Sequence, residues 1–229
     1  MVLKKVALTG ATGMLGRHIN ALLEEHNYDV INLSRREDEG VDFVWNLCDW
    51  KSNDFFDLAF SNVEAIIHAG ALVDPNGAEC KGKIYDANIR SCFNIGEWAR
   101  LRNIPIIYIS GAIVYKNIFK NLQKENGRLG WNGYGNFYGY SKLLAEDVLM
   151  RLKEKGLNIS ILRPTSIYGI GMPSNSIVSK YLYQAISDNT IEIAEPVHNK
   201  IDFVHAYDVA TSVLATLESK KKSGIYNMA

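Results

Sequence analysis

Residues 5–23, KVALTGATGMLGRHINALL, leave few folds open to the chain. The apolar run Val6-Ala7-Leu8 meets three glycines at spacing three and three, Gly10, Gly13 and Gly16. An amphipathic segment follows at once, with apolar residues at Leu15, Ile19, Leu22 and Leu23. That order predicts a strand, a glycine turn and a helix. Gly10 lets the chain turn sharply out of the strand, Gly13 lets backbone come close to a ligand, and Gly16 lets the helix pack close to a sheet. The N–H groups of a first helical turn have no acceptors inside the helix, and with the helix dipole they favour a pyrophosphate. The opening is therefore a candidate dinucleotide cradle. Tyr28 to Arg36 again patterns as a strand and completes a strand–helix–strand unit.

The alternation continues. Strands are predicted near 5–9, 29–33, 42–46, 64–69, 105–110 and 158–163, and helices near 14–26, 53–60, 84–102, 137–155, 175–188 and 206–219. This argues an α/β fold, a doubly wound and mostly parallel sheet covered on both faces. Two looser stretches, 72–83 and 116–136, read either as binding loops and lids or as insertions without a role. Lys+Arg and Asp+Glu both number 25, so a broad electrostatic surface for nucleic acid or an acidic membrane is unsupported. Cys48, Cys80 and Cys92 match neither a disulfide framework nor a zinc site, and no metal is expected. The apolar run after Met1 is too short for a signal peptide and nothing reaches bilayer length, so a cytoplasmic protein is expected.

Candidate ligand groups gather at the expected carboxyl ends of strands, where open α/β sheets bind. After the second strand come Ser34, Arg35 and Arg36; a bare ribose is usually held there by an acidic residue, whereas these three suit a 2′-phosphate, or form a basic surface turn. Asn46 and Leu47 would suit the edge and face of an adenine. Ala69, Gly70 and Ala71 are small enough for a flat ligand to lie against the strand end. His68, inside an apolar run, reads as a core histidine rather than a catalyst. Ser110 places a hydroxyl at the end of the fifth strand. Tyr138 and Lys142 stand four apart on one face of the following helix, a spacing at which an ammonium would favour the phenolate and lower the tyrosine pKa.

TGATGMLG, IIHAGA, DANIRSCFNIGEWAR, YISGAIVY, YGYSK, ILRPTSIYG and DFVHAYDVA, in this order, resemble the extended short-chain dehydrogenase/reductase family, in its NAD(P)-dependent sugar epimerase/dehydratase branch. The resemblance implies a Rossmann-type sheet in a cofactor domain over 1–169, a substrate-lobe insertion over 170–200, and a return to the sheet over 201–229. The small C-terminal substrate lobe is then either reduced or incomplete. It implies that the backbone through Gly10, Thr12, Gly13, Met14, Leu15 and Gly16 holds the pyrophosphate of NADP or NAD, with NADP preferred on account of Arg35 and Arg36. It brings Asn88 and Pro164 to the cofactor, and gives Lys142 the nicotinamide ribose. Tyr138 becomes the general base or acid while hydride passes between the nicotinamide and a sugar or nucleotide-sugar hydroxyl. A homodimer is implied as well.

Gly111 stands where the family has a catalytic Ser or Thr, with Ser110 the nearest substitute, although adjacent strand residues point to opposite faces. Ile201, preceded by Lys200, stands where the family supplies an Arg for the nucleotide of a sugar substrate. These departures keep two other functions open, a dinucleotide-binding sensor or scaffold without turnover and a reductase of small carbonyl compounds.

Overall fold

The computed structural model describes residues 4–74, 77–118, 122–193, 200–219 and 223–229. The opening unit forms as its pattern dictates, with β1 at Lys4–Thr9, α1 at Met14–Glu25 and β2 at Tyr28–Ser34. There follow β3 (Phe43–Val44), α2 (Asn53–Ala59), β4 (Ala65–His68), α3 (Lys81–Tyr85), a wide π turn (Asp86–Arg90) and α4 (Ser91–Arg102). Then come β5 (Ile106–Ile109), a 3-10 turn (Ala112–Val114), α5 (Asn136–Glu154), β6 (Ile159–Pro164) and β7 (Ser166–Tyr168). The chain closes with α6 (Ile177–Ser187), β8 (Phe203–His205), α7 (Ala206–Glu218) and β9 (Gly224–Met228).

Seven strands form one parallel sheet in the order β3-β2-β1-β4-β5-β6-β9, a Rossmann-like doubly wound arrangement. The order reverses at β1, which pairs with β2 on one side and β4 on the other, so the glycine turn lies at the switch point. β7 and β8 form a separate parallel pair.

Strand alternation divides the core. Val6, Leu8, Ile67, Ile107 and Ile109 pack against Ile19, Leu22 and Leu23 of α1 and Val209 and Val213 of α7. Ala7, Ile66, Ile106, Tyr108 and Ile161 pack on the other face against Phe56 of α2, Ile95 and Trp98 of α4, and Leu149 of α5. Both faces are buried, which is why these strands read as continuous apolar runs.

Several expectations are corrected. The third strand pairs only over Phe43–Val44, because Asn46 Oδ1 accepts the Cys48 N–H and curls the chain into a turn. The long helix expected over 84–102 is three pieces joined through the π turn. β7 and β8, three residues each, are too short to carry a periodicity. The loop after the 3-10 turn is strapped down: Tyr115 bridges Leu129, Gly130 N–H donates to the Val114 carbonyl, and the Asn132 amide donates to the carbonyls of Ile113 and Tyr115. Residues 1–3, on which the leader reading rests, and 194–199 of the expected insertion lie outside the described residues. Among the described residues no helix is long and apolar enough to cross a membrane, and none of the cysteines is paired.

Candidate functional site

The glycine turn is shaped by backbone contact. Gly10 has φ +74°, and a Cβ there would stand 2.7 Å from Gly70 Cα; a Cβ on Gly16 would stand 2.1 Å from the Gly10 carbonyl oxygen. Only glycine allows these approaches. Gly13 is exposed, and a Cβ there would meet only the Gly10 carbonyl oxygen, at 3.2 Å. No side chain caps α1 and its first turn holds no acidic residue. The leading N–H groups of Met14 and Leu15 are therefore free of any side-chain cap and of a competing negative charge. The cradle fits a pyrophosphate.

A buried clamp ties this turn to β4. Gly70 N–H donates to Thr9 Oγ1 at 3.1 Å, and the Thr9 hydroxyl lies 2.8 Å from His68 Nδ1. The hydroxyl thus bridges the Gly70 N–H and the imidazole, and among the described residues His68 Nε2 is buried without a hydrogen-bond partner. His68 is 1% exposed and stacks between Trp45 and Tyr108. Burial, with the Lys142 charge adding to it, drives its pKa to about 3, so it is a neutral core residue, as its apolar run predicted.

Thr12 Oγ1 meets Ser34 Oγ at 2.6 Å, so the expected ribose end abuts the cradle. Arg35 and Arg36 are exposed beside it. Leu47 leans over the end of β4, its Cδ1 3.0 Å from where a Gly70 Cβ would be, while Asn46 is exposed. Asn88 sits in the π turn, 2% exposed. Its Oδ1 accepts the Leu72 N–H, and its Nδ2 donates to the Leu72 carbonyl and to Ser141 Oγ. Its amide therefore fixes the loop after Ala71 against α5 rather than facing a cofactor.

The reacting groups lie at the start of α5. Gly139 lets this helix approach closely, since a Cβ there would stand 2.9 Å from Ile113 Cδ1. Lys142 is 3% exposed; its Nζ donates to the Ile109 carbonyl at 2.9 Å and lies 4.9 Å from the Tyr108 ring centre. Burial lowers the lysine pKa to about 8. Burial likewise pushes Tyr138 up to about 12, so the expected lowering by Lys142 is not what this arrangement gives.

Ser110, the nearest hydroxyl to the Gly111 gap, is committed elsewhere. Its Oγ donates to Glu146 Oε1 at 2.5 Å, buried, so it offers no hydroxyl beside Tyr138. Gly111 is extended, and a Cβ there would find Ile113 Cγ2 at 3.6 Å and the Pro164 carbonyl oxygen at 3.8 Å, ordinary contacts that leave room for a side chain. Pro164, buried at the end of β6, thus borders that space.

Sequence reasoning missed Glu146 and Arg163. Both are 1% exposed and joined by a two-point ion pair, Arg163 Nη2 to Oε2 at 2.6 Å and Nε to Oε1 at 3.0 Å. A cation inside the apolar strand ILRP, and a carboxylate four residues beyond Lys142, were the available signals. Beyond β6 a cleft of about 180 Å³ is lined by Tyr134, Ser166, Tyr168, Met172, Ile201 and Phe203.

The model of the NAD dependent epimerase/dehydratase family matches residues 6–229. The ADP-L-glycero-D-manno-heptose-6-epimerase of Cupriavidus pinatubonensis is 27% identical, over 97% of this chain and 72% of its own length. Among solved structures, the UDP-N-acetylglucosamine 4-epimerase of Bacillus cereus superposes with a TM-score of 0.84 at 24% identity, over 98% of this chain and 75% of that one. MoeE5, in complex with UDP-glucuronic acid and NAD, superposes with a TM-score of 0.84 at 22% identity, over 98% and 76%.

Proposed function

Since the chain belongs to the NAD dependent epimerase/dehydratase family, we propose that it is an NAD(P)-dependent enzyme acting on a hydroxyl of a sugar or nucleotide sugar. The observation carrying this reading is convergence. The glycine turn, the small residues after β4 and the Tyr138–Lys142 face of α5 all meet the carboxyl edge of one parallel sheet. The backbone of Gly10, Thr12, Gly13, Met14, Leu15 and Gly16 holds the pyrophosphate, while Asn46 and Leu47 flank the adenine. Ala69, Gly70 and Ala71 form a flat floor, and Lys142 and Pro164 border the nicotinamide end. Ser34, Arg35 and Arg36 favour NADP over NAD, because only NADP carries a ribose 2′-phosphate for the two exposed guanidinium groups to meet.

When bound, the nicotinamide supplies the acceptor and donor of hydride. The chain's own part is proton handling and orientation. Tyr138, held as a neutral phenol, donates its proton as an alkoxide develops on the substrate, and takes one back in the reverse direction. The substrate lies towards the cleft of Tyr134, Tyr168 and Phe203, whose rings offer apolar faces to a sugar. Two copies pair across the outer faces of α4 and α5, where Phe93 and Leu101 are exposed, and sedimentation reads this directly; a monodisperse monomer overturns it.

Fluorescence titration of wild type and Tyr138→Phe with NADPH and NADH, followed by turnover of UDP- and ADP-sugars, tests the reading. Both proteins are expected to bind, NADPH about tenfold or more tighter than NADH. Tyr138→Phe is expected to lose about 100-fold or more in turnover. Equal turnover in the two removes the role of Tyr138, and equal affinities remove that of the arginines.

One observation favours a second reading. With Gly111 bare and Ser110 bound to Glu146, no hydroxyl from β5 steadies the substrate oxygen, as a binding protein with little turnover would tolerate. Dinucleotide binding without conversion of any sugar would support it.

A further inference from the structure

The buried hub around Glu146 has no part in the proton handling above, yet it joins every element that carries it. Glu146 lies on α5, one turn beyond Lys142 and two beyond Tyr138. Its carboxylate accepts from Ser110 at the end of β5 and from Nε and Nη2 of Arg163 on β6. The remaining arm of Arg163, Nη1, donates to Tyr115 Oη at 2.9 Å and to the Glu125 carbonyl at 3.0 Å, both on the strap. Tyr115 Oη donates in turn to Asn227 Oδ1 of β9 at 2.6 Å. A carboxylate and a guanidinium both 1% exposed are costly to bury, and apolar side chains of similar volume often serve stability as well. A purely structural role therefore leaves the choice of charged groups unexplained.

We propose that Glu146 is a positioning residue: clamped by Arg163 and Ser110, it holds α5 against the ends of β5 and β6 so that Lys142 stands as an ammonium against the Ile109 carbonyl, beside Tyr138. The groups facing Lys142 support this division of labour. From α4 comes Cys92, a thiol pushed by burial up to about 11; from β5, the Tyr108 phenol, also raised by burial; from β4, neutral His68; from α5, Tyr138 and Glu146. At neutral pH the first four are uncharged. Burial lowers Lys142, and Cys92 and then Glu146, which is ion-paired with Arg163, hold it higher than burial alone would leave it. This rests on the assignment of Lys142 to the site, but its test needs no cofactor.

The side-chain resonance of Lys142 in carbon-13 lysine-labelled protein, assigned with Lys142→Met, is titrated in wild type, Glu146→Asp, Glu146→Gln and the double variant Glu146→Met with Arg163→Met. Wild type is expected to titrate near 8. Glu146→Asp, which keeps the charge, is expected to stay close to it, and Glu146→Gln to fall by about one unit. The apolar double variant guards against Glu146→Gln unfolding around an unpaired arginine; it is expected to remain folded with the lowered midpoint. An unchanged midpoint in either folded charge-free variant overturns the proposal, and so does unfolding of both, which would make the pair a stabilising element only. Failure of wild type to bind any dinucleotide would sink the functional reading and leave this titration to stand by itself.

Discussion

At Gly111 the backbone is extended, so the absence of a side chain there is not demanded by conformation, and a Cβ would make only ordinary contacts. Gly111→Ser is therefore expected to fold with an unchanged melting temperature and to raise turnover of a sugar substrate about tenfold or more, since a hydrogen bond to a charged oxygen is worth roughly 1.5–3 kcal/mol. Turnover equal to wild type would mean that water or the substrate already fills the gap. Gly10 and Gly16 are the opposite case, and their spacing was legible because a close backbone approach tolerates no other residue. The core position of His68 was legible too, from its apolar neighbours. Glu146 and Arg163 were not, because what matters about them is a pairing across seventeen positions that no local pattern announces.

Elements with a strong period were easy to read and those held by single contacts were not. The strands buried on both faces and the long helices α1 and α5 declared themselves, whereas β3, β7, β8 and the π turn depend on partners distant in sequence. The strap after Tyr115 is of this second kind, since glycines and polar residues there predict only a loop. One of its anchors is a phenol, which accepts from Arg163 and donates to Asn227, beside the Arg163 bond to the Glu125 carbonyl. Tyr115→Phe is expected to cost about 1–3 kcal/mol by leaving buried polar groups unpaired. Amides of 122–130 should lose protection from hydrogen exchange while those of β1 and β4 keep it. Uniform loss across the sheet would show that the strap and sheet open together.

For the whole molecule, four buried groups with large shifts shape how stability follows pH. The folded pKa of His68, about 3, lies below its ordinary 6.5, so the unfolded chain binds more protons between these values and stability falls as pH drops from 6.5 towards 3. Lys142, lowered to about 8 from 10.5, makes stability rise with pH through that window. Cys92, raised from 9.0 to about 11, opposes that rise above pH 9, and Tyr138, raised from 10.0 to about 12, makes stability fall above pH 10. Melting temperature is therefore expected to peak between about pH 9 and 10, and His68→Phe to flatten the acid limb by up to a few kcal/mol, whatever it costs at neutral pH. An acid limb as steep in His68→Phe as in wild type would move the cause to the carboxylates.

The strand order also carries a history. Each strand of the large sheet docks on one that precedes it in the chain: β2 and β4 on β1, β3 on β2, β5 on β4, β6 on β5, β9 on β6. At each step a strand already made therefore presents the edge that the next one joins. The contacts that shape the cofactor turn, to Leu33, His68 and Gly70, are all present once the chain has been made as far as Gly70. The reacting end waits for Lys142 and, through Glu146, for Arg163. The shape of the cofactor turn thus rests on contacts within the first half of the sheet, and that of the far end of the site on contacts reaching into the second half.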